Sequence, residues 1–257
     1  MTGDLGTPRV DMVTPVRTSE FAYADVIVGD GRAVTASNQN LIAAFTLYRG
    51  DTGEEVGAAT QLWDSTAAAQ VLPGMDAALP CVTDGSRVVT SVPASDIDPS
   101  VTTQLGLNAD DSIIAVVDVL YVALPKAEGH DVFNTQRGLP SVVRATDGRP
   151  GVIIPDGDAP TETVTETLIE GDGEVVGDGF AMFHSTVVSW DDRSVLSTTW
   201  DGPLSIDPSA LPAPVVEAVQ AATVGSQILV VVPGEAGASA TAYVVDVLGV
   251  VPPELAG

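Results

Sequence analysis

Cysteine, lysine and aromatic residues are all scarce in this chain of 257 residues, and each shortage removes a class of answers. Cys81 stands alone, so there is no internal disulfide, and a thiolate metal site, which needs several ligands, has nothing to build on. Its setting in ALPCVTDGS predicts a small, buried or half-buried residue at a helix end rather than a nucleophile. Basic residues number 10 against 35 acidic ones, for a net charge of −25, and Lys126 is the lone lysine. Binding a phosphate backbone or an anionic lipid surface takes clustered Lys and Arg, so nucleic acid and membrane-surface partners are not expected. No apolar run approaches the roughly 18 residues that cross a bilayer, so direct membrane insertion is not expected either. Aromatic residues are 5% of the chain within a hydrophobic total of 45%, which predicts aliphatic cores rich in Val and Ala.

Other signatures are missing as well. The start, MTGDLGTPRV, has neither a basic n-region nor an apolar h-region, so a cytoplasmic chain and one whose signal has been removed both fit. The acidic surface suits work outside the cytoplasm or in salt. His130 and His184 have no second His or Cys at ligand spacing, which leaves no metal site. His184 lies in an alternating segment, AMFHSTV, where a structural or surface role outweighs catalysis. Asp- and Gly-rich pieces such as EGDGEVVGDG lack the calcium-loop pattern and read as turns. GxSxG, P-loop and dinucleotide patterns are absent, so no cofactor is expected.

What the chain does have is a long internal repeat. Asp25–Val34, DVIVGDGRAV, returns as Thr167–Val176, TLIEGDGEVV, each an apolar strand running into a Gly-Asp-Gly turn. Ser112–Val122 and Thr241–Val250 both carry VVDVL. The period exceeds the roughly 20–50 residues of solenoid repeats, so two tandem domains are expected. In the first, LIAAFTLY predicts a strand, RGDTGEEVG a turn, QVLPGMDAALPC a short helix and RVVTSVP a strand. Residues 94–111 read as a long functional loop before the closing strand. In the second, strands at 179–188 and 195–200 precede a helix at 212–223, a strand at 226–233 and the terminal strand. The loop after Pro233, GEAGASA, is much shorter than its counterpart. The expected boundaries are 1–124 for a first domain with an extended leader, 125–160 for a linker or β-arm holding a hairpin in SVVRATDGRPGVII, and 161–257 for the second domain.

Order and punctuation resemble the FKBP-type peptidyl-prolyl cis-trans isomerase family, in its two-domain extracytoplasmic form from actinobacterial lipoproteins. The first half offers GDGRA, QVLPGMDAAL, DGSRVVTSVP and IIAVVDVL; the second offers GDGEV, WDDRSVLSTTWDGP, TVGSQILVVVP and YVVDVLGV. The resemblance covers nearly the whole chain beyond the first twenty residues. It implies an α+β fold, with two tandem FKBP-like domains that each wrap an antiparallel sheet around one short helix. It implies proline-containing polypeptide clients, rotation about Xaa-Pro bonds, extracytoplasmic location and a monomer without cofactor.

Carried over residue by residue, the resemblance implies a first pocket of Phe45, Val56, Val71, Leu72, Met75, Ile97 and Ala115, with the backbone of Val71 and Leu72 facing the ligand. A weaker second pocket would hold Ser185, Leu196, Leu211, Val215 and Tyr243. Polar groups of the family are replaced: Phe45 lacks the hydroxyl of the family's strand tyrosine, Val56-Gly57 stands where a Phe-Asp pair is expected, and Pro212 has no N–H to offer. The implied activity is therefore weak, with a non-catalytic binding or chaperone role as the alternative. Phe45, Met75, Trp63, Trp190, Trp200 and Tyr243 are equally readable as ordinary core residues. The closing VVPPELAG resembles a family loop motif by chance, since it follows the terminal strand.

Overall fold

Both halves of the chain build the same antiparallel sheet from the same sequence of strands. A computed structural model describes residues 1–133, 136–206, 208–234, 238–252 and 255. The chain forms two units, Met1–Ala123 and Leu124–Gly257. Parts of GEAGASA and VVPPELAG lie outside the described residues.

The first unit contains β1 (Ala22–Ile27), β2 (Leu41–Arg49), β3 (Glu55–Trp63), α1 (Ser65–Val71), α2 (Met75–Ala78), β4 (Arg87–Pro93), α3 (Pro99–Leu105) and β5 (Ser112–Val122). The sheet order is β1-β4-β5-β2-β3, every neighbour antiparallel. Successive strand residues face opposite sides. On β4, Val88 and Val92 enter the inner core with Met75 and Leu79, whereas Val89 joins Tyr48, Ile114 and Val116 on the outer side. The leader covers that outer side with Val10, Met12 and Val16, and the Tyr48 hydroxyl donates to the Pro8 carbonyl at 3.2 Å.

The second unit contains β6 (Gly129–Asp131), β7 (Ser141–Arg144), β8 (Pro150–Ile153), β9 (Val164–Gly171), β10 (Ala181–Ser189), β11 (Val195–Thr198), α4 (Ala213–Ala221), β12 (Gln227–Val232) and β13 (Thr241–Val250). The order β11-β10-β13-β12-β9-β6 repeats the first sheet and adds β6 at one edge. Val215 and Val219, four apart on α4, are fully buried against Phe183, Ile228, Val230 and Val245. Burying each such side chain is worth about 1.5–3 kcal/mol. The segment expected as a linker or β-arm with a hairpin is part of this unit: β6 pairs with β9, and the β7–β8 hairpin lies over the outer face. There Leu139, Val142, Val152 and Ile154 pack with Trp190, Leu229 and Val231.

The repeat has a structural cause. Gly29 N donates to Ser86 Oγ at 2.9 Å, and Gly171 N to Ser226 Oγ at 3.0 Å. Thr83 Oγ1 donates to the Gly29 carbonyl and Thr223 Oγ1 to that of Gly171, each at 2.7 Å. A Cβ on Gly29 would lie 2.0 Å from the Asp84 carbonyl oxygen, and one on Gly171 would lie 2.3 Å from that of Val224. The repeated Gly-Asp-Gly thus accommodates a close backbone crossing; the strand before it pairs with β4 or β12 rather than folding back as a hairpin.

Several expectations need correcting. The first unit has three helices rather than one: α1 precedes the expected helix, α2 forms its middle, and α3 occupies the expected loop. Much of RGDTGEEVG is turn, but β3 begins within it at Glu55. Cys81 is exposed, with a φ of 67° in the turn after α2.

Candidate functional site

The inner face of β2 and β3 leaves a gap that α1 and α3 close only in part. The helices are fixed by caps written into the sequence. Asp64 Oδ1 accepts from Ala67 N at 2.7 Å and starts α1; Asp98 Oδ1 accepts from Ser100 N at 2.7 Å and starts α3, with Pro99 at its first position. Gly106, at φ 63° and ψ 34°, ends α3. Arg49 donates to the Leu105 carbonyl at that end while its guanidinium holds Asp51 at 2.7 Å. The hydrogen bond from Arg49 pulls the Asp51 carboxyl below its usual range.

The resulting cavity measures about 450 Å³ and is lined by Phe45, Leu47, Gly57, Ala58, Ala59, Gln61, Trp63, Ala68, Val71, Leu72, Ile97, Val101, Leu105 and Ile113. None of these side chains ionises, so the space can hold an uncharged apolar group and exclude water from it. The Phe45 and Trp63 rings meet edge to face, centroids 5.2 Å apart. The buried Trp63 indole Nε1–H has no hydrogen-bond partner.

Of the first predicted set, Phe45, Val71, Leu72 and Ile97 come together here. Met75 and Ala115 are fully buried in the core, and Val56 packs against that core, outside the cavity lining. Leu72 N donates to the Ala68 carbonyl at 2.8 Å, closing α1, so this amide does not face a ligand. Trp63, readable from sequence as pocket wall or core, stands in the wall, whereas Gln61 on β3 and Val101 and Leu105 on α3 lie outside the predicted set; the Asp98-Pro99 and Gly106 signals point to the α3 pair.

In the second predicted set, Leu211, Val215 and Tyr243 share one core cluster. Leu196 is 57% exposed on β11, whereas Val215 is fully buried in the core. Leu211 and Tyr243 pack at the edge of that core, where burial pushes the Tyr243 phenol up. Ser185 is buried, its N–H donating to Thr199 Oγ1 at 2.9 Å. Trp190 and Trp200 are buried, and His130 is exposed 3.3 Å from Asp172. Among the described residues no group of three His, Cys, Asp or Glu could hold a metal ion, and no helix is long and apolar enough to cross a membrane.

No family model and no curated protein matches the chain. Among solved structures it is similar to the three FKBP domains of wheat FKBP73, at 12% identity and a TM-score of 0.37 over 92% of this chain and 99% of that one. It is similar to a peptidyl-prolyl cis-trans isomerase of Pseudomonas syringae at 11% identity and a TM-score of 0.33, over 42% of this chain and 82% of the other. FkpA of Escherichia coli aligns at 17% identity and a TM-score of 0.32, covering 43% of this chain and 52% of FkpA. FKBP domains and a peptidyl-prolyl cis-trans isomerase thus stand among the solved structures this chain resembles.

Proposed function

We propose that the first unit is an FKBP-type domain that binds proline-containing segments and turns Xaa-Pro bonds weakly. The observation that carries this reading is the uncharged cavity of about 450 Å³ walled by Phe45 and Trp63. Rotation about an Xaa-Pro bond faces a barrier of roughly 18–20 kcal/mol, and a site lowers it by favouring the twisted amide over either planar form. Exclusion of water favours the less polar twisted state. Shape and desolvation then do most of what carboxylate and hydroxyl groups would otherwise share, which limits the rate.

A second reading, binding without turnover, is favoured by the engagement of the Leu72 amide within α1. The second unit is given no catalytic part in either reading, because Pro212 has no N–H to meet a substrate carbonyl. Work outside the cytoplasm, as a monomer, belongs to the same proposal; it rests on the motif resemblance and the acidic composition, and fractionation of the source cells tests it.

Ala59 is the register partner of Phe45, lines the cavity and is exposed, so Ala59→Trp fills the space without cutting into the core. Isomerisation of an Xaa-Pro peptide accelerated by the wild-type chain and not by Ala59→Trp supports turnover. Peptide binding that Ala59→Trp abolishes, without acceleration, supports the second reading. Neither effect in the folded protein overturns both.

A further inference from the structure

Across the outer face of the second sheet, Gln227 of β12 and His184 of β10 are both register partners of Asp246 on β13. Cross-strand partners share a face, with Cβ atoms about 4.5–5.5 Å apart. All three residues are buried. The first sheet has the same row with different chemistry, since Arg87 and Ala44 are the partners of Asp118. There the carboxylate accepts from Arg87 Nε at 2.6 Å, Arg87 Nη2 at 2.9 Å and Gly6 N at 2.7 Å. In the second sheet Asp246 Oδ1 accepts from Gln227 Nε2 at 2.7 Å, and Oδ2 has no partner. The guanidinium is gone, and an imidazole stands where the first unit has a methyl group.

A buried carboxylate without a paired cation is held neutral rather than charged. Burial pushes Asp246 up to about 7 from its ordinary 3.8, outweighing Gln227, the Ala127 amide and Arg144, which favour the ionised form. Burial, followed by the charge of Arg149, lowers His184 to about 4 from 6.5. The imidazole stacks on Trp200, centroids 4.4 Å apart, and its Nδ1 lies 3.0 Å from Thr199 Oγ1.

The cations Arg144, Arg149 and Lys126 on the surrounding elements already have partners. Arg144 of β7 meets Asp131 of β6 at 3.2 Å, and Arg149 meets Asp201 at 2.6 Å. Lys126 donates to the Thr146 carbonyl at 3.2 Å, and Glu166 of β9 lies farther along the face opposite Leu229.

We propose that Asp246 and His184 are a compensating acid–base pair, both held neutral beneath the 125–160 arm, which keeps the stability of the second unit level across mildly acid pH. Loss of either partner makes that unit pH-dependent, with opposite sign for the two losses. The carboxyl, raised on folding, stabilises the fold at low pH and loses that contribution as pH climbs from 3.8 to about 7. The imidazole, lowered on folding, stabilises the fold at high pH and loses that contribution as pH falls from 6.5 to about 4. Over the shared interval the folded unit holds one proton more at Asp246 and one fewer at His184 than the unfolded chain does. The two slopes cancel.

The test uses the full chain with Trp63→Phe, so that Trp190 and Trp200 report the second unit alone in urea unfolding. Without further change its stability is expected to be level between pH 4 and 6.5. In His184→Gln the unfolding constant should rise on the order of 100-fold over that interval, and in Asp246→Asn it should fall by a similar factor. The double variant should be level again. Level profiles in the single variants, or slopes of the same sign, overturn the pair. Should a single variant fail to fold, NMR titration of His184 in the wild-type protein decides. An imidazole that stays neutral down to about pH 4 upholds the pair, and one that titrates near 6.5 overturns it.

Discussion

Arg87 grips both oxygens of Asp118 from the neighbouring strand, Nε to Oδ1 at 2.6 Å and Nη2 to Oδ2 at 2.9 Å, with both side chains buried. The same guanidinium donates to the Gly3 carbonyl at 3.0 Å and the Asp4 carbonyl at 2.7 Å, so the pair also ties down the leader. Removing one member of a buried pair leaves the other charge uncompensated, at a cost of about 3–5 kcal/mol. Arg87→Gln, which installs the second unit's residue, should therefore destabilise the first unit by about that amount. The combination Arg87→Met with Asp118→Leu should recover most of it, because no lone charge remains. Denaturant unfolding followed through Trp63 checks both; a double variant as unstable as the single would show that packing, rather than the stranded carboxylate, sets the cost.

Two glycines of the repeat differ sharply from one at the cavity. At Gly29 and Gly171 a methyl group would collide with a backbone carbonyl, whereas at Gly57 it would meet nothing within 4 Å. Gly29→Ala and Gly171→Ala should each cost about 1–3 kcal/mol or more as overpacking. Gly57→Ala, on an edge strand, should be neutral or stabilising by up to about 1 kcal/mol. Thermal unfolding of the three variants distinguishes them, and equal midpoints for Gly29→Ala and Gly57→Ala would refute the close crossing.

Helix α3 depends on its N-cap, Asp98. The Ser100 hydroxyl and backbone amide both donate to Asp98 and lower its carboxyl below the ordinary 3.8. A carboxyl lowered on folding contributes above its unfolded pKa and loses that contribution as pH falls through the folded value. Amide exchange in Ser100–Leu105 should therefore quicken below about pH 3.8 by more than intrinsic exchange accounts for. Asp98→Ala should show the fast exchange at neutral pH as well. Since Val101 and Leu105 line the cavity, the same variant should weaken any ligand bound there.

Strands were the most legible part of the sequence because their apolar runs bury on both faces. Ser112–Val122 and Thr241–Val250 are central strands with the bounds that their VVDVL runs imply. Helices α1 and α3 of the first unit start not at QVLPG but at two capping signals, Asp64 before STAAAQ and Asp98-Pro99, the latter helix ending at Gly106. These caps place Ala68, Val101 and Leu105 in the cavity wall. Phe45, Val71, Leu72 and Ile97 were reached through motif resemblance, while Met75 and Ala115 lie too deep to touch a ligand. The row of Gln227, Asp246 and His184 required strand register, which no single segment reveals.

Trp63 is the tryptophan of the first unit and stands in the cavity wall, while Trp190 and Trp200 are buried in the second unit. A ligand entering the cavity changes the surroundings of Trp63. Titration with a proline-containing peptide should therefore shift the emission of the wild-type chain, and Trp63→Phe should abolish the shift while leaving the second-unit signal intact. Replacing the indole with the smaller phenyl ring also trims the apolar cavity wall, so affinity should fall, by less than about tenfold. An emission change that persists in Trp63→Phe would place the ligand in the second unit and remove the cavity from the function.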